Sequence, residues 1–283
     1  MTQTEEFSAL GLTDRTLEAI RSKGFETPSP IQRLTIPALL DTEKTNDIIA
    51  QAQTGTGKPA AFGLPILERL RPLKGATQAL ILVPTRELAL QVTEELLSLN
   101  GRSKLSISAI YGGASMSEQL RRLSKGVDVV VGTPGRILDH LHRGTLDIRE
   151  LQYLILDEAD EMLNMGFYKD VRHIIEMMKA RKSLSMFSAT ISREVMDIGW
   201  LYQHNAEEIT VQPKEESQPK ITQYMLETSG RNKLSDLAQI IIGENYKRVM
   251  VFCDTKFNTA TLANQLARLG FSVDCLHGDL SQK

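Results

Sequence analysis

Residues 52–58, AQTGTGK, combine small residues, two glycines and a lysine in a pattern typical of a phosphate-binding loop. They follow an apolar stretch predicted to be a strand (47–52) and precede a helix predicted to begin at Lys58. Main-chain N–H groups of such a loop bind phosphate oxygens, and Lys58 would add a positive charge. However, Pro59 stands where the pattern requires a serine or threonine hydroxyl for Mg²⁺, and Ala52 stands where it requires glycine. Taken alone, the stretch could also be an ordinary turn.

A second candidate site lies in LILDEADEM (154–162), where the adjacent carboxylates Asp157 and Glu158 follow a predicted buried strand. A charge at the end of a buried strand is costly unless a metal ion or a cation compensates it. In nucleotide-cleaving enzymes, one such carboxylate holds hydrated Mg²⁺ and a second orients the attacking water. The alternative is a helix N-terminus that carries acidic residues, which the helix dipole favours. The phosphate loop upstream favours the functional interpretation.

The segments around both sites predict a parallel α/β fold. Short apolar runs alternate with helical patterns such as residues 85–99, in which apolar side chains recur with helical spacing. Strands separated by helices form βαβ units, which predicts a doubly wound parallel sheet with helices on both faces. In such a sheet, ligands bind beyond the carboxyl ends of the strands, where both candidate sites lie. The predicted strands are 47–52, 78–83, 106–111, 127–132, 152–157 and 183–188.

The composition changes at QPKEESQPK (212–220), which has two prolines, several charges and no apolar residue, and is predicted to be a linker. A second alternation follows, with predicted strands 221–227, 248–253 and 271–277 and predicted helices around 231–242 and 257–269. Sheets usually have about five strands, so we expect an incomplete domain here. The predicted organisation is a first domain over 1–211, the linker, and a partial second domain over 221–283.

The chain has 283 residues, with 33 basic and 35 acidic side chains and a net charge of −2. It lacks the overall basic excess of many nucleic-acid-binding proteins, so a nucleic-acid site would depend on placed amides and a few arginines. The start of the chain lacks the features of a signal peptide, and no apolar run reaches the ~18 residues of a membrane helix. Cys253 and Cys275 are too far apart for a metal motif and are predicted to be buried, reduced thiols. We therefore expect a cytoplasmic protein.

Several motifs, taken in order, make the chain resemble the DEAD-box RNA helicases of superfamily two, which have two RecA-like domains. The letters DEAD occupy residues 157–160. GFETPSPIQ (24–32) is similar to the family's Q motif, which we place within residues 7–32. The further matches are PTRELA (84–89), GG (112–113), TPGR (133–136) and SAT (188–190). The resemblance, of the bacterial type, covers the first predicted domain completely and the second in part.

The resemblance implies ATP and Mg²⁺ as cofactors. Gln32 would pair with the adenine edge, which would select ATP over GTP, and Phe25 would stack on the base. Lys58, Asp157 and Glu158 would be catalytic: Asp157 would position Mg²⁺ through water, and Glu158 would polarise the attacking water. The predicted nucleotide-binding loop residues are Thr54, Gly55, Thr56, Gly57, Lys58 and Pro59. Those expected to couple hydrolysis to domain closure are Asp160, Ser188 and Thr190.

The resemblance also implies RNA as a partner, bound through its backbone without sequence preference, and no membrane. Main-chain amides at glycines and helix starts can bind phosphates, and contacts to the 2′-hydroxyl would distinguish RNA from DNA. Taken alone, TPGR would be interpreted as a turn in which Pro134 begins a helix. The predicted RNA-binding residues are Pro84, Thr85, Arg86, Gly112, Gly113, Thr133, Gly135 and Arg136.

Two departures from the family pattern bear on activity. Pro59 lacks the hydroxyl that would ligate Mg²⁺ and the N–H that would reach a phosphate, although a helix tolerates proline in its first turn. The family's later motifs have no counterpart before Lys283, so we expect a chain truncated within the second domain. The expected function is an ATP-dependent RNA helicase core with impaired turnover. The alternative is a nucleotide- or RNA-binding protein without turnover; a DNA helicase of the same superfamily is disfavoured by the DEAD and Q-motif spellings.

The remaining candidates have structural interpretations. Histidines 140, 142, 173 and 204 match no metal-ligand spacing and are expected to be structural or solvated. His277 lies in HGDLSQ, a segment close to the RNA path in the family. Trp200 is predicted to pack at the end of a helical pattern. Ser185 interrupts an apolar strand, and its hydroxyl would need a local partner if buried.

Overall fold

The computed structural model describes residues 5–41, 47–73, 75–178, 181–211 and 221–280. The chain divides into two compact units, Met1–Gln218 and Pro219–Lys283. The predicted linker, 212–220, lies outside the described residues. The domain boundaries expected from the sequence therefore stay predictions.

A parallel sheet of seven strands lies at the centre of the first unit. Its strands are β1 (Ile48–Gln51), β2 (Ala79–Leu82), β3 (Ile107–Ile110), β4 (Val129–Gly132), β5 (Tyr153–Asp157), β6 (Ser183–Ser188) and β7 (Glu207–Thr210). Their order is β3-β4-β2-β5-β6-β1-β7, and all neighbours are parallel. Six of these strands were predicted from the sequence, which confirms the parallel sheet.

Helices cover both faces of the sheet. Those described in the first unit are α1 (Glu5–Ser8), α2 (Asp14–Lys23), α3 (Pro30–Leu40), α4 (Lys58–Arg69), α5 (Arg86–Leu99), α6 (Met116–Leu123), α7 (Pro134–His142), α8 (Ala159–Met162), α9 (Tyr168–Met177) and α10 (Arg193–Tyr202). Apolar side chains from opposite faces of the sheet enter two separate cores, and the edge strand β7 contributes only Ile209 to one of them. One core contains side chains of α2 to α5, and the other contains side chains of α7 to α10. The fold is therefore doubly wound, as predicted.

The composition of each strand reflects its place in the sheet. β5, with the sequence YLILD, is buried at every position because helices cover both its faces. Ser185 in β6 is also buried, and its hydroxyl lies 3.2 Å from that of Ser183, so the local partner that the sequence required is present. β7, with the sequence EEIT, was not predicted, because only Ile209 is buried and this edge strand has no apolar run.

The second unit differs from its prediction. Its described residues, 221–280, contain the two expected helices, α11 (Lys233–Gly243) and α12 (Lys256–Arg268). The three predicted strands have no ladder partner among these residues, and apolar side chains within them, such as Phe252 and Leu276, are exposed. Strand formation requires hydrogen bonds to a neighbouring strand, which an apolar pattern alone does not supply.

Two smaller predictions can also be judged. Cys253 and Cys275 are partly exposed free thiols, so the expectation of buried cysteines was wrong. Trp200 is 73% exposed, so its predicted packing was wrong as well. The residues of α10 that enter the core are Val195, Ile198 and Gly199. Among the described residues, no helix is both long and apolar enough to cross a membrane.

The start of α2 and the end of α4 stabilise each other through hydrogen bonds. The carboxylate of Glu68, near the end of α4, accepts hydrogen bonds from the hydroxyls of Thr13 (2.8 Å) and Thr16 (2.5 Å) at the start of α2. Arg15 in turn donates to the carbonyl oxygens of Leu67 and Glu68 (2.9 and 2.8 Å). Each helix end therefore receives the charge that its exposed backbone groups favour.

We predict that Glu68→Gln lowers the free energy of unfolding by about 1–3 kcal/mol at pH 7, because hydrogen bonds to a charged acceptor are lost. Burial raises the pKa of Glu68, but the hydrogen bonds from Thr16 and Thr13 outweigh this and hold the pKa below 4.5. A lowered carboxyl pKa stabilises the fold above pH 4.5, and this stabilisation is lost as the pH falls through the folded-state pKa. Urea unfolding across pH 3–7 measures the difference. The exposed variant Glu118→Gln is the control, and a pH-independent difference for Glu68→Gln would contradict the prediction.

Candidate functional site

The strand order gathers the predicted site residues into two groups at one edge of the sheet. β5, β6 and β1 are neighbours, so the DEAD, SAT and phosphate-loop motifs, which follow these strands, lie side by side. β3, β4 and β2 are also neighbours, so the GG, TPGR and PTRELA motifs form a second group. In a parallel sheet all these loops leave the carboxyl ends of the strands, where ligands bind in open α/β folds.

The predicted phosphate loop connects β1 to α4. Gly55 and Gly57 have φ angles of 81° and 88°, which favour glycine. The N–H of Ala52 donates to the Ser188 carbonyl oxygen at 3.0 Å, which joins the loop to the SAT motif. Lys58 is 3% exposed, and its Nζ lies 3.4 Å from the carbonyl oxygen of Ala52. The loop thus has a left-handed glycine on either side of Thr56 and a buried cation at its end.

Asp157 ends β5 and is only 2% exposed. Its Oδ1 accepts a hydrogen bond from the N–H of Glu158 at 3.0 Å. Burial raises the pKa of Asp157 to about 6; the charge of Lys58 lowers it, whereas Glu158 and Asp160 raise it further. The attraction of Lys58 therefore does not offset the cost of burying this carboxylate, which a bound cation would reduce.

Glu158 has left-handed backbone angles, φ 50° and ψ 50°, at the turn from β5 into α8. This conformation is uncommon for residues with a side chain and costs free energy. The strain therefore lies at a predicted catalytic residue, directly after the buried Asp157.

Asp160 connects the DEAD and SAT motifs. Its Oδ2 accepts hydrogen bonds from the N–H and the hydroxyl of Thr190, at 2.9 and 2.7 Å. The N–H of Asp160 donates to the Ser188 hydroxyl oxygen at 3.1 Å, and that hydroxyl donates to the Thr190 carbonyl oxygen at 2.8 Å. Burial raises the pKa of Asp160, but these hydrogen bonds outweigh it and hold the pKa below 3.8. The structure thus brings together the three residues predicted to act as a coupling group.

Gln32, predicted to contact adenine, has both ends of its amide engaged by the protein. Its Oε1 accepts a hydrogen bond from the N–H of Ser29 at 2.9 Å, and its Nε2 donates to the Gly57 carbonyl oxygen at 3.1 Å. Ser29 and Gln32 form a capping box at the start of α3, which S-x-x-Q in the sequence could have indicated. Phe25 is partly buried against the core, and Lys23 Nζ lies 5.8 Å from its ring centroid.

The predicted RNA-binding residues occupy helix starts and turns. Thr85 caps α5 by accepting from the N–H of Leu88 at 3.2 Å, and Arg86 begins that helix. The Arg86 guanidinium lies 5.3 Å from the ring centroid of Tyr111, the residue before the GG motif. Gly112, Gly113 and Gly135 are exposed, and Thr133 and Arg136 are partly exposed. Pro84 is buried.

Comparison with known proteins identifies the family. The profile of the DEAD/DEAH box helicase family matches residues 29–198. The chain therefore belongs to the DEAD/DEAH box helicase family. It is 44% identical to a protein named probable ATP-dependent RNA helicase from Methanocaldococcus jannaschii, over 98% of this chain and 73% of that protein. It is 42% identical to the DEAD-box ATP-dependent RNA helicase CshA of Geobacillus kaustophilus, of which it spans only 58%.

Solved structures agree with this assignment. A crystal structure of a DEAD box protein from Methanococcus jannaschii superposes with a TM-score of 0.70 at 42% identity, over 98% of this chain and 74% of that one. Dbp5 of S. cerevisiae, bound to RNA and ADP BeF3, gives a TM-score of 0.82 at 31% identity, over 98% of this chain and 70% of that one. The fold of this DEAD-box family member is therefore RecA-like.

Sequence reasoning missed one set of contacts in this family member. Gln119 in α6 is buried and hydrogen-bonds to Tyr111, Arg136 and His140. His140 is fully buried, which confirms its structural interpretation, whereas His142 and His173 are exposed and stack edge to face. No sequence spacing indicates the Gln119 contacts, because its partners lie 8, 17 and 21 residues away.

The raised pKa of Asp157 predicts a stability effect of defined sign. Folding disfavours the ionised form, so the fold is destabilised above pH 6, and this penalty disappears as the pH falls below 3.8. Asp157→Asn should therefore raise the free energy of unfolding by about 1–3 kcal/mol at pH 7 and confer no advantage near pH 3. Urea unfolding at both pH values measures this.

Asp160→Asn is the matched control, because its lowered pKa predicts the opposite sign, a loss of stability at pH 7. Carbon-13 NMR of the Asp157 carboxyl should show a titration near pH 6. A midpoint close to 4, or equal stability of Asp157→Asn and the original protein at pH 7, would contradict the prediction.

Proposed function

We propose that this chain is the core of an ATP-dependent RNA helicase that binds ATP with Mg²⁺ beyond β5, β6 and β1 and RNA beyond β3, β4 and β2. The observation on which the proposal rests is Asp157, a buried carboxylate beside Lys58 whose pKa is raised to about 6. Such a group, next to a glycine-rich loop at a helix start, suits a hydrated cation that accompanies phosphates. A cytoplasmic location and sequence-independent RNA contacts belong to the same proposal.

The residues around the loop fit a nucleotide. Among the described residues, no heavy atom other than those of Gly55 and its two chain neighbours lies within 4 Å of a Cβ built on Gly55, so that side of the loop is open to a phosphate. Lys58 makes one long hydrogen bond among the described residues, which leaves donors for a phosphate oxygen. Asp157 would hold Mg²⁺ through water, and Glu158 would accept a proton from the attacking water. When bound, the ion supplies positive charge that offsets the negative charge of the phosphates.

Pro59 limits what this site can do. It lies in the first turn of α4, where the missing N–H costs the helix nothing. It provides neither a hydroxyl for the metal ion nor an N–H for a phosphate oxygen. We therefore propose binding with weak turnover. A nucleotide- and RNA-binding protein without turnover is the second candidate, and Pro59 is the observation that favours it.

We expect Pro59→Thr to raise the rate of RNA-stimulated phosphate release by about a hundredfold or more, because a donor and a metal ligand are supplied at the reacting phosphates. Pro59→Ala is the control, since it supplies the N–H without the hydroxyl and should recover only part of the gain. Titration with a fluorescent ATP analogue, with and without Mg²⁺, measures binding separately. Equal rates for the proline and threonine proteins would show that Pro59 does not limit turnover.

Support for RNA binding comes from the second group of loops. Exposed glycines at 112, 113 and 135 allow a backbone to approach closely, and Arg86 and Arg136 provide positive charge. The same fold is bound to RNA in Dbp5, at a TM-score of 0.82. A local site of this kind agrees with a chain whose net charge is only −2, because a few placed groups suffice for backbone contacts.

We predict that Arg86→Ala weakens binding to single-stranded RNA and lowers the slope of log affinity against log salt by about 0.7, the share of one phosphate contact. Arg86→Lys keeps the charge and should keep the slope, although it loses the planar stacking on Tyr111. Fluorescence anisotropy with labelled RNA over a range of salt concentrations measures both quantities. An unchanged slope for Arg86→Ala would exclude Arg86 from the phosphate contacts.

A further inference from the structure

Gln119 in α6 is a buried amide between two of the RNA-facing loops. It is 4% exposed. Its Nε2 donates to the Tyr111 carbonyl oxygen at 2.9 Å, directly before the GG motif. Its Oε1 accepts from Nη1 of Arg136, in the TPGR motif, at 3.1 Å. One side chain therefore connects the loop after β3 to the loop after β4.

His140 completes this network, and the amide orientation set by Tyr111 and Arg136 determines the tautomer of His140. Its Nε2 lies 3.1 Å from Gln119 Oε1, and its Nδ1 lies 2.8 Å from the Thr145 hydroxyl. Because the Gln119 oxygen can only accept, His140 must donate through Nε2. Burial is the main cause that lowers the pKa of His140 below 6.5. The charge of Arg136 lowers this pKa further, whereas the charge of Asp139 raises it. A neutral imidazole with its proton on Nε2 donates to Gln119, and its Nδ1 competes with the His140 carbonyl oxygen, 3.1 Å from the Thr145 hydroxyl, for the proton of that hydroxyl.

These contacts restrain Arg136. Its Nη1 also donates to the Ala114 carbonyl oxygen at 3.3 Å, so two acceptors hold the same nitrogen. Its Nε and Nη2 make no hydrogen bond to any described residue. A guanidinium is planar, so fixing one nitrogen orients the remaining donors, and these are the ones that can bind a phosphate oxygen.

We propose that Gln119 is a positioning residue for RNA: it holds Arg136 and the backbone before Gly112 in one arrangement, so that the GG and TPGR loops bind the RNA backbone together. The proposal rests on the RNA-binding function proposed above. Gln119 itself is buried and does not touch RNA. Its effect passes through Arg136 and the Tyr111 carbonyl.

The test compares RNA binding of the 283-residue protein with that of Gln119→Met, Arg136→Ala and the double variant, by fluorescence anisotropy with a labelled uridine oligonucleotide. Gln119→Met keeps the volume and removes the polar atoms. We expect it to weaken binding about tenfold, as for the loss of one charge-assisted hydrogen bond. It should also lower the salt slope by about 0.7, because Arg136 no longer meets its phosphate. If Gln119 only stabilised the fold, its replacement would leave the salt slope unchanged, because glutamine carries no charge.

Gln203→Met is the matched control. Gln203 is a buried glutamine whose Nε2 donates to the carbonyl oxygens of Ile48 and Leu184, at 3.1 and 2.7 Å. These residues lie at the amino ends of β1 and β6, at the opposite edge of the sheet. Gln203→Met should lower the melting temperature and leave both the RNA affinity and the salt slope unchanged.

The double variant decides whether Gln119 acts through Arg136. If it does, adding Gln119→Met to Arg136→Ala weakens binding by clearly less than Gln119→Met does in the original protein, and the remainder is the part that passes through the Tyr111 carbonyl. If the effects of the two single substitutions on RNA affinity multiply in full, or if Gln119→Met binds RNA as tightly as the original protein, the inference is overturned. The proposed RNA-binding function would still stand. A chain that fails to bind RNA at all would overturn the proposed RNA-binding function, and this inference with it.

Gln119→Glu provides a second route if Gln119→Met does not fold. The carboxylate keeps an acceptor for Arg136 and His140 but neutralises the arginine charge and removes the donor to Tyr111. We expect weaker RNA binding and a lower salt slope from a folded protein. RNA binding equal to that of the original protein would overturn the inference.

Discussion

The burial of Asp157 is the constraint on which the proposed nucleotide-binding half of the site depends. Asp47 and Asp128, which directly precede β1 and β4, are also buried, but hydrogen bonds from the protein compensate for the burial of their carboxylates. Asp47 accepts two backbone N–H bonds, and Asp128 accepts two more and a glutamine amide. Asp157 has one such bond among the described residues, from Glu158, and the attraction of Lys58 does not offset its burial. At the amino ends of the strands, buried carboxylates therefore hold loops in place. At the carboxyl ends, the buried carboxylate of Asp157 keeps a charge that is available to a cation.

The conformation of the predicted phosphate loop depends in turn on a helix that precedes it in sequence. Gln32 closes the capping box of α3 and also donates to Gly57, so the start of this helix and the loop form one packed unit. A Cβ on Gly57 would lie 2.6 Å from the Gln32 amide nitrogen, which shows how closely they approach. Each end of the Gln32 amide can still make one further hydrogen bond, so a ligand that binds there would be connected through one side chain to both the capping box and the loop.

The sequence was sufficient where the signal is local. Six strands were predicted because buried parallel strands are continuous apolar runs, and the motifs could be placed because each follows such a strand. β7 was missed because an edge strand exposes most of its side chains. The Trp200 prediction was wrong because residue type does not show which side of a helix meets the core. The contacts of Gln119 could not be predicted, since they connect α6 to the loop after β3 and to α7 across 8 to 21 residues.

Pro59 shows that fold and chemistry can be separated at a single position. The first turn of a helix has N–H groups without intrahelical partners, so proline there removes a donor that folding does not use. α4 begins normally, and the core beneath it includes the buried Ala60, Ala61 and Phe62. The donor and the hydroxyl are needed only when phosphates and a metal ion are bound. Stability measurements on the ligand-free protein would therefore show no cost of Pro59, and the losses that this residue causes lie in binding and turnover.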